Sequence, residues 1–169
     1  MANPTMTLIA SNTVGSGGVA SVTFSSIPAT YRDLQILMSC KSASSSEAYI
    51  LMTLNGSSSS FTGIQIEGNG SAVSSATNTV GRVGVYSGSN FTGFTNNLIY
   101  IPNYAGSTNK SISADSVTEN NNAASSSYQD MFATLWSNTS AITSISFAFS
   151  GGTNFAQYST AYLYGIKNS

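Results

Sequence analysis

The segment that most constrains the fold is residues 158–166, where two kinds of side chain alternate. One side carries aromatic and β-branched residues and the other carries mainly small ones: Tyr158, Thr160, Tyr162, Tyr164 and Ile166 against Ser159, Ala161, Leu163 and Gly165. A period of two is typical of an extended strand, because successive side chains point to opposite faces of a sheet. These residues therefore predict a β-strand near the end of the chain.

The same alternation recurs along most of the chain, with turn-forming residues between the runs. The predicted strands are residues 5–10, 19–24, 34–41, 49–54, 61–67, 79–86, 97–101, 110–117, 131–136, 142–149 and 158–166. Residues 71–78 and 120–126 are rich in Ser, Ala and Asn and are predicted to be loops. About ten short strands separated by regular turn signals predict an all-β antiparallel sandwich or barrel.

Composition agrees with this fold class and with a single domain. Ser, Thr, Asn and Gly make up 82 of the 169 residues. These residues disfavour helix interiors, because Ser, Thr and Asn compete for backbone hydrogen bonds and Gly loses the most entropy. We expect residues 1–6 to be an N-terminal arm and residues 7–169 to form one β-sandwich domain.

The sparse charge excludes several classes of partner. Only 7% of residues are charged, five are basic, and the net charge is −1. A nucleic-acid interface needs a basic stripe, so we expect no nucleic-acid binding. No apolar run reaches the roughly 18 residues that span a bilayer, and the first residues do not form a secretory signal, so we expect no membrane span. A weakly charged surface suits contact with another protein.

The titratable residues do not form a catalytic pattern. The sequence contains no histidine, which excludes Ser-His-Asp and Cys-His catalysis and the commonest zinc sites. Cys40 is in phase with apolar residues and is predicted to lie in the core. Asp115 and Glu119 are the nearest pair of carboxylates, but four residues along a strand span about 13 Å, too far for a glycosidase pair. We expect that the protein is not an enzyme and that it binds no cofactor.

Two binding alternatives depend on polar and aromatic clusters. Asp115, Glu119 and residues 120–122 carry oxygen atoms that can bind calcium. The Asp-x-Asp-x-Asp-Gly loop pattern is absent, so a solvated loop is the preferred interpretation. Tyr158, Tyr162 and Tyr164 have the chemistry to stack on sugars. Packing within the core and between subunits is the preferred interpretation for these tyrosines.

Three blocks carry a resemblance to a known group of proteins: FSSIPATYRDL at 24–34, IYIPNYAGS at 99–107, and residues 158–166. Shorter matches lie at 117–120, 135–137 and 142–145. In order and spacing these blocks resemble virion structural proteins of tailed bacteriophages, especially phages of cyanobacteria and other aquatic bacteria. The likeness covers residues 8–166. It implies a jelly-roll-like β-sandwich, and it implies no catalytic residues.

The resemblance leads to one expected function and one alternative. We expect a capsid decoration (cement) protein at the virion capsid surface that bridges subunits of the major capsid protein, as a homotrimer at local threefold positions. The alternative is a receptor- or glycan-binding module of a tail or head fibre that contacts a host-surface glycan.

Interface residues are expected in the N-terminal arm and in turn-rich loops, where scaffold proteins often make contacts. The candidates are Ala2, Asn3, Pro4, Thr5, Met6, Pro102, Asn103, Tyr104, Asn120, Asn121 and Asn122.

Overall fold

The computed structural model describes residues 5–45, 47–86, 93–118 and 127–167, which form twelve β-strands and one short 3-10 helix. The strands are β1 (Met6–Thr13), β2 (Val22–Phe24), β3 (Asp33–Cys40), β4 (Ala48–Leu54), β5 (Phe61–Gly68), β6 (Val73–Asn78), β7 (Arg82–Tyr86), β8 (Thr95–Ile101), β9 (Lys110–Thr118), β10 (Tyr128–Trp136), β11 (Ile145–Phe149) and β12 (Thr160–Ile166). No helix in the described ranges is long and apolar enough to cross a membrane. The all-β prediction is confirmed.

The strands form two antiparallel sheets with the order of a jelly roll. The large sheet has the order β1-β12-β3-β8-β9-β10-β5-β6, and the small sheet has the order β2-β11-β4-β7. Four pairs, β1–β12, β2–β11, β3–β8 and β4–β7, join an early strand to a later one. The chain thus doubles back on itself and rolls up, so that β12 lies beside β3 and β11 beside β4. The predicted sandwich is confirmed.

Four further strands widen the large sheet beyond this roll. The hairpin β5–β6 lies between β4 and β7 in sequence, and β9–β10 lies between β8 and β11. In space the four strands follow β8 as β9-β10-β5-β6. The small sheet ends at β7, which contacts β9 and β10, whereas five of the six residues of β6 are exposed. The large sheet therefore extends past its partner on one side.

Apolar side chains from facing sides of the two sheets fill the core. In the large sheet Leu34, Ile36, Met38 and Cys40 point inward from β3, as the alternation predicts. In the small sheet Ile50, Met52 and Leu54 point inward from β4 and meet Phe147 and Phe149 of β11. Burial raises the pKa of the Cys40 thiol to about 12, so this side chain is an unreactive core residue.

Most predicted strands are confirmed, and one predicted loop is wrong. Residues 73–78, predicted to be part of a loop, form β6, which pairs with β5 from Gly63↔Asn78 to Gly68↔Val73. The backbone ladder to β5 makes a strand of a segment whose Ser and Ala side chains carry little strand signal. The second strand is shorter than predicted, because Val19 forms only an isolated bridge to Phe155.

The closing strand β12 has the predicted alternation, but its small residues are the ones that face the core. Ala161, Leu163 and Gly165 are buried, whereas Tyr162 and Tyr164 are half-buried on the other face. The prediction that these tyrosines pack in the core is therefore wrong. The physical reason is visible at Gly165, where a Cβ atom would overlap the ring of Tyr31. The inner face of β12 therefore has room for Leu163 but for no side chain at position 165.

We predict that Gly165→Ala lowers the free energy of unfolding by roughly 1–3 kcal/mol, because the added methyl group displaces the Tyr31 ring. Urea denaturation measures the effect. Gly15→Ala is the matched control: Gly15 is exposed, and a Cβ atom there has no neighbour within 4 Å. Equal stabilities of the two variants would contradict the steric explanation.

Candidate interaction surface

The most exposed apolar cluster lies on the outer face of the large sheet, the face turned away from the small sheet. Its members are Ile64 and Ile66 on β5 and Met131 and Leu135 on β10, with exposed fractions of 56%, 49%, 60% and 36%. We call these four residues the outer patch. Contiguous exposed apolar side chains on a soluble protein are typical of a contact surface.

Strand register makes the outer patch continuous. Met131 is directly opposite Ile66, and Ala133 is directly opposite Ile64. Side chains opposite each other on antiparallel strands have Cβ atoms about 4.5–5.5 Å apart, so they contact one another. Leu135 follows on the same face of β10, because residues 131, 133 and 135 alternate with the inward-facing Phe132 and Trp136.

A shallow groove of about 660 Å³ runs beside the outer patch. The residues that line it are Thr62, Gly63, Ile64, Thr77, Asn78, Thr79, Ser111, Ala133, Thr134 and Leu135. The lining includes small side chains such as Ala133 and Ser111, and it shares Ile64 and Leu135 with the outer patch. No aromatic ring lines this groove, so it has no platform on which a sugar can stack.

One carboxylate separates the outer patch from the rest of the outer face. Asp115 on β9 is opposite Met131 on one side and Leu98 on the other, and its Oδ1 accepts a hydrogen bond of 2.6 Å from Gln129 Nε2. Leu98 itself is 39% exposed. Together with Ser111 and Ser113, Asp115 forms a polar row on β9 between the outer patch and Leu98.

Tyrosines occupy the other half of the outer face. Tyr164 and Tyr100 are both opposite Gln35 of β3, one on each side, and both are half-buried. The hydroxyl of Tyr100 donates a hydrogen bond of 2.7 Å to Asp33 Oδ2, and this bond raises the pKa of Tyr100. Tyr162, on the same face of β12 as Tyr164, is opposite Leu37 of β3. This half of the face is partly aromatic.

The corner after β8 is held by internal hydrogen bonds. Asn103 has a left-handed backbone with φ of 48°, and its N–H donates to Asp33 Oδ1 at 2.8 Å. Tyr104 is fully buried, and its hydroxyl donates to the carbonyl of Pro28. Lys110 Nζ donates to two carbonyls of the corner, and burial lowers the pKa of this lysine. The prediction that Tyr104 is an interface residue is therefore wrong, because no partner can reach its ring.

Of the other sequence-predicted interface residues, the described ones lie near one end of the large sheet. Met6 is opposite Ile166, Ile166 is opposite Asp33, and Asp33 accepts a hydrogen bond from Asn103. Thr5 and Met6 are exposed, but Met6 pairs with Ile166 in β1 and is part of the sandwich. Pro102 and Asn103 are half-buried at the corner. The remaining predicted interface residues, Ala2, Asn3, Pro4, Asn120, Asn121 and Asn122, lie outside the described residues. For Pro102, Asn103, Thr5 and Met6 a role in an interface is still a prediction.

The outer patch was missed although the sequence carries a signal for it. In residues 131–136 apolar side chains occupy both faces of the strand, since Met131 and Leu135 alternate with Phe132 and Trp136. A half-buried strand in a monomer alternates apolar with polar residues, so apolar side chains on both faces indicate that something covers both.

A polar cluster lies on the inner face, beneath β5 and β10. Gln65 Nε2 donates to Asp130 Oδ1 at 2.7 Å and to Glu67 Oε2 at 3.2 Å, and Gln65 Oε1 accepts from Arg82 Nη1 at 3.4 Å. The guanidinium of Arg82 lies 3.9 Å from the ring centre of Tyr49. The hydrogen bonds and the cation–π contact fix β5 and β10 against the end of the small sheet.

Burial makes Asp130 the most perturbed carboxyl group of this cluster. Its side chain is fully buried, which raises its pKa to about 7; the Gln65 hydrogen bond opposes the shift, and the charges of Glu67 and Glu47 add to it. Asp130 Oδ2 has no hydrogen-bond partner in the described part of the chain. Asp130 is closed to solvent in the folded protein.

In the ranges that the structure describes, no three or more Asp, Glu or Cys side chains lie close enough together to hold a metal ion. Asp115 is bonded to Gln129, and Glu119, its partner in the carboxylate pair considered above, lies outside those ranges.

Comparison with known proteins adds no family: no protein-family model and no curated protein matches this chain. Function is therefore inferred from the surface described above.

We predict that Asp130→Asn makes the protein more stable at pH 8 and changes little at pH 4. A carboxyl group whose pKa is raised by folding stabilises the folded state fully below its unfolded pKa of 3.8, and that contribution is lost as the pH rises through about 7. At about 1.4 kcal/mol per pKa unit, the gain at pH 8 amounts to a few kcal/mol.

Urea denaturation between pH 4 and pH 8 measures this difference. Asp115→Asn is the control, because it removes the same charge from an exposed position. If the two variants respond alike to pH, burial of Asp130 does not control the pH dependence.

Proposed function

We propose that this chain is a non-enzymatic structural component of a phage particle, a capsid decoration (cement) protein that binds the outer capsid surface through the outer patch. The observation that carries the proposal is this patch of four exposed apolar side chains on the outer face of the large sheet. The resemblance to tailed-phage virion proteins supports it, as does the jelly-roll strand order, which also occurs in viral capsid proteins.

The physical basis is burial of apolar surface across a protein–protein contact. Each Å² of apolar surface removed from water contributes about 25 cal/mol. A stable interface covers roughly 800 Å² on each partner, so we expect the contact to extend from the outer patch across Asp115 to Leu98. Binding across neighbouring major capsid subunits stabilises the assembled shell, because the ligand favours the state to which it binds. The homotrimer expected from the resemblance is not part of this proposal.

We predict that Met131→Glu reduces binding to capsids at least tenfold, because the most exposed side chain of the outer patch then brings a carboxylate into an apolar contact. Purified variants are mixed with capsids from a phage that lacks this chain, and the bound fraction is measured by co-sedimentation. Tyr158→Glu is the matched control, since Tyr158 is 69% exposed but lies before β12, away from the outer patch.

Two outcomes would contradict this proposal. The first is binding of wild-type protein only to tails or fibres. The second is equal loss of capsid binding in Met131→Glu and Tyr158→Glu.

A fibre module that binds a host-surface glycan is the second candidate, supported by Tyr100, Tyr162 and Tyr164 on the outer face. Aromatic rings on a flat sheet face can stack on sugars. In this case Tyr164→Ala removes binding to a glycan array or to host cells, and Met131→Glu leaves it unchanged. Tyr104, which is buried, has no part in such a site.

A further inference from the structure

The last strand of the large sheet, β6, is an unpaired edge. Among the described residues the only strand that pairs with Val73–Asn78 is β5. Residues 73–77 are exposed, and Val73 is 78% exposed. Every second residue of such an edge presents a backbone N–H and C=O that no other strand of the sheet satisfies, and these groups are a template for strand pairing.

Protective features found on other edges are missing from β6. Natural edge strands are blocked by charged side chains, proline, bulges or short length. The segment Val-Ser-Ser-Ala-Thr-Asn has no charge and no proline, and its register with β5 is regular. At the opposite edge β1 has a register shift between Leu8 and Ala10, and in the small sheet β2 has only three residues.

We propose that a second copy of this chain pairs with β6 through its own β6, antiparallel and in one continuous sheet. Identical strands that pair in this way are related by a twofold axis perpendicular to the sheet. The two eight-stranded sheets then become one. The side chains that meet are small or β-branched and uncharged, so no repulsion opposes the contact.

The twofold axis has a consequence for the outer patch. Because the axis is perpendicular to the sheet, the outer faces of both copies point to the same side. Each outer patch begins on β5, the strand next to β6, so the two patches lie on either side of the new contact. This step rests on the proposed function: a paired molecule presents two capsid-binding patches at once, and a second attachment strengthens binding through effective concentration.

The size of the contact sets its strength. A strand of six residues is about 20 Å long, and its edge buries less than the roughly 800 Å² per partner of a stable interface. The pair is therefore a reversible dimer whose population depends on protein concentration.

Sedimentation velocity over a range of protein concentrations tests the pairing in the absence of capsids. Wild-type protein is expected to shift from monomer to dimer, and Ser75→Lys to raise the dissociation constant at least tenfold, because two lysines meet near the axis. Ser113→Lys is the matched control: Ser113 is exposed on the outer face of β9, away from the edge. A purely monomeric wild type, a trimer, or a dimer that Ser75→Lys leaves intact overturns the proposal.

Cysteine cross-linking tests the geometry independently. Ser74→Cys, Ser75→Cys and Ala76→Cys place a thiol near the middle of β6, and Cys40 does not interfere because it is buried and its pKa is about 12. Mild oxidation is expected to yield a disulfide-linked dimer for at least one of these variants and none for Ser113→Cys. Cross-linking at Ser113→Cys alone, or at no β6 position, contradicts the antiparallel pairing.

The two proposals fail in different ways. Ser75 is opposite Ile66 of the outer patch, so capsid binding is compared between a disulfide-linked β6 dimer and the same variant after reduction. If the linked dimer binds capsids more tightly than the reduced monomer, then both proposals hold. If wild-type protein pairs through β6 but Met131→Glu binds capsids as well as wild type does, the pairing holds and the capsid-binding role of the outer patch does not.

Discussion

The pairing of β12 with both β1 and β3 is the interaction on which the rest of the structure depends. It joins the beginning of the described chain to its end, from Met6 opposite Ile166 to Thr13 opposite Thr160. The small residues of β12 let Tyr31 pack over Gly165 inside the sandwich. The chain has one cysteine and few charges. Backbone ladders join the strands within each sheet, and apolar burial holds the two sheets against each other.

The widening of the large sheet explains both unusual features of its far side. The small sheet ends at β7, so the inner faces of β5 and β10 are only partly covered by apolar side chains, and the Gln65–Asp130 cluster fills the remaining space. On the outer face no strand of the described chain covers Ile66 and Met131. The jelly roll is thus closed on one side, and its extension is where contacts with other molecules can form.

Alternation along the sequence was enough to predict the fold class and most strands, because each run with a period of two marks a buried face. It did not predict β6, whose strand conformation depends on hydrogen bonds to β5 and not on its own side chains. It correctly placed the tyrosines of β12 on one face of the strand, but that face does not point into the core. The packing of Tyr31 against Gly165 shows that the opposite face is the buried one. Tyr104 was assigned to a loop surface because a corner does not reveal that its ring turns inward. The outer patch could be recognised only once the register of β5 and β10 was known.

Closure of the chain on itself also determines how the protein can fold. The large sheet gains its β12 ladder only when strands from opposite ends of the described chain meet, so the pairing bridges almost the whole sequence. Contacts between such distant segments carry a large loop-closure entropy and make folding slow. Until β12 pairs with them, the edges of β1 and β3 that face each other have no partner strand. The large sheet is therefore complete only after β12 has paired with β1 and β3.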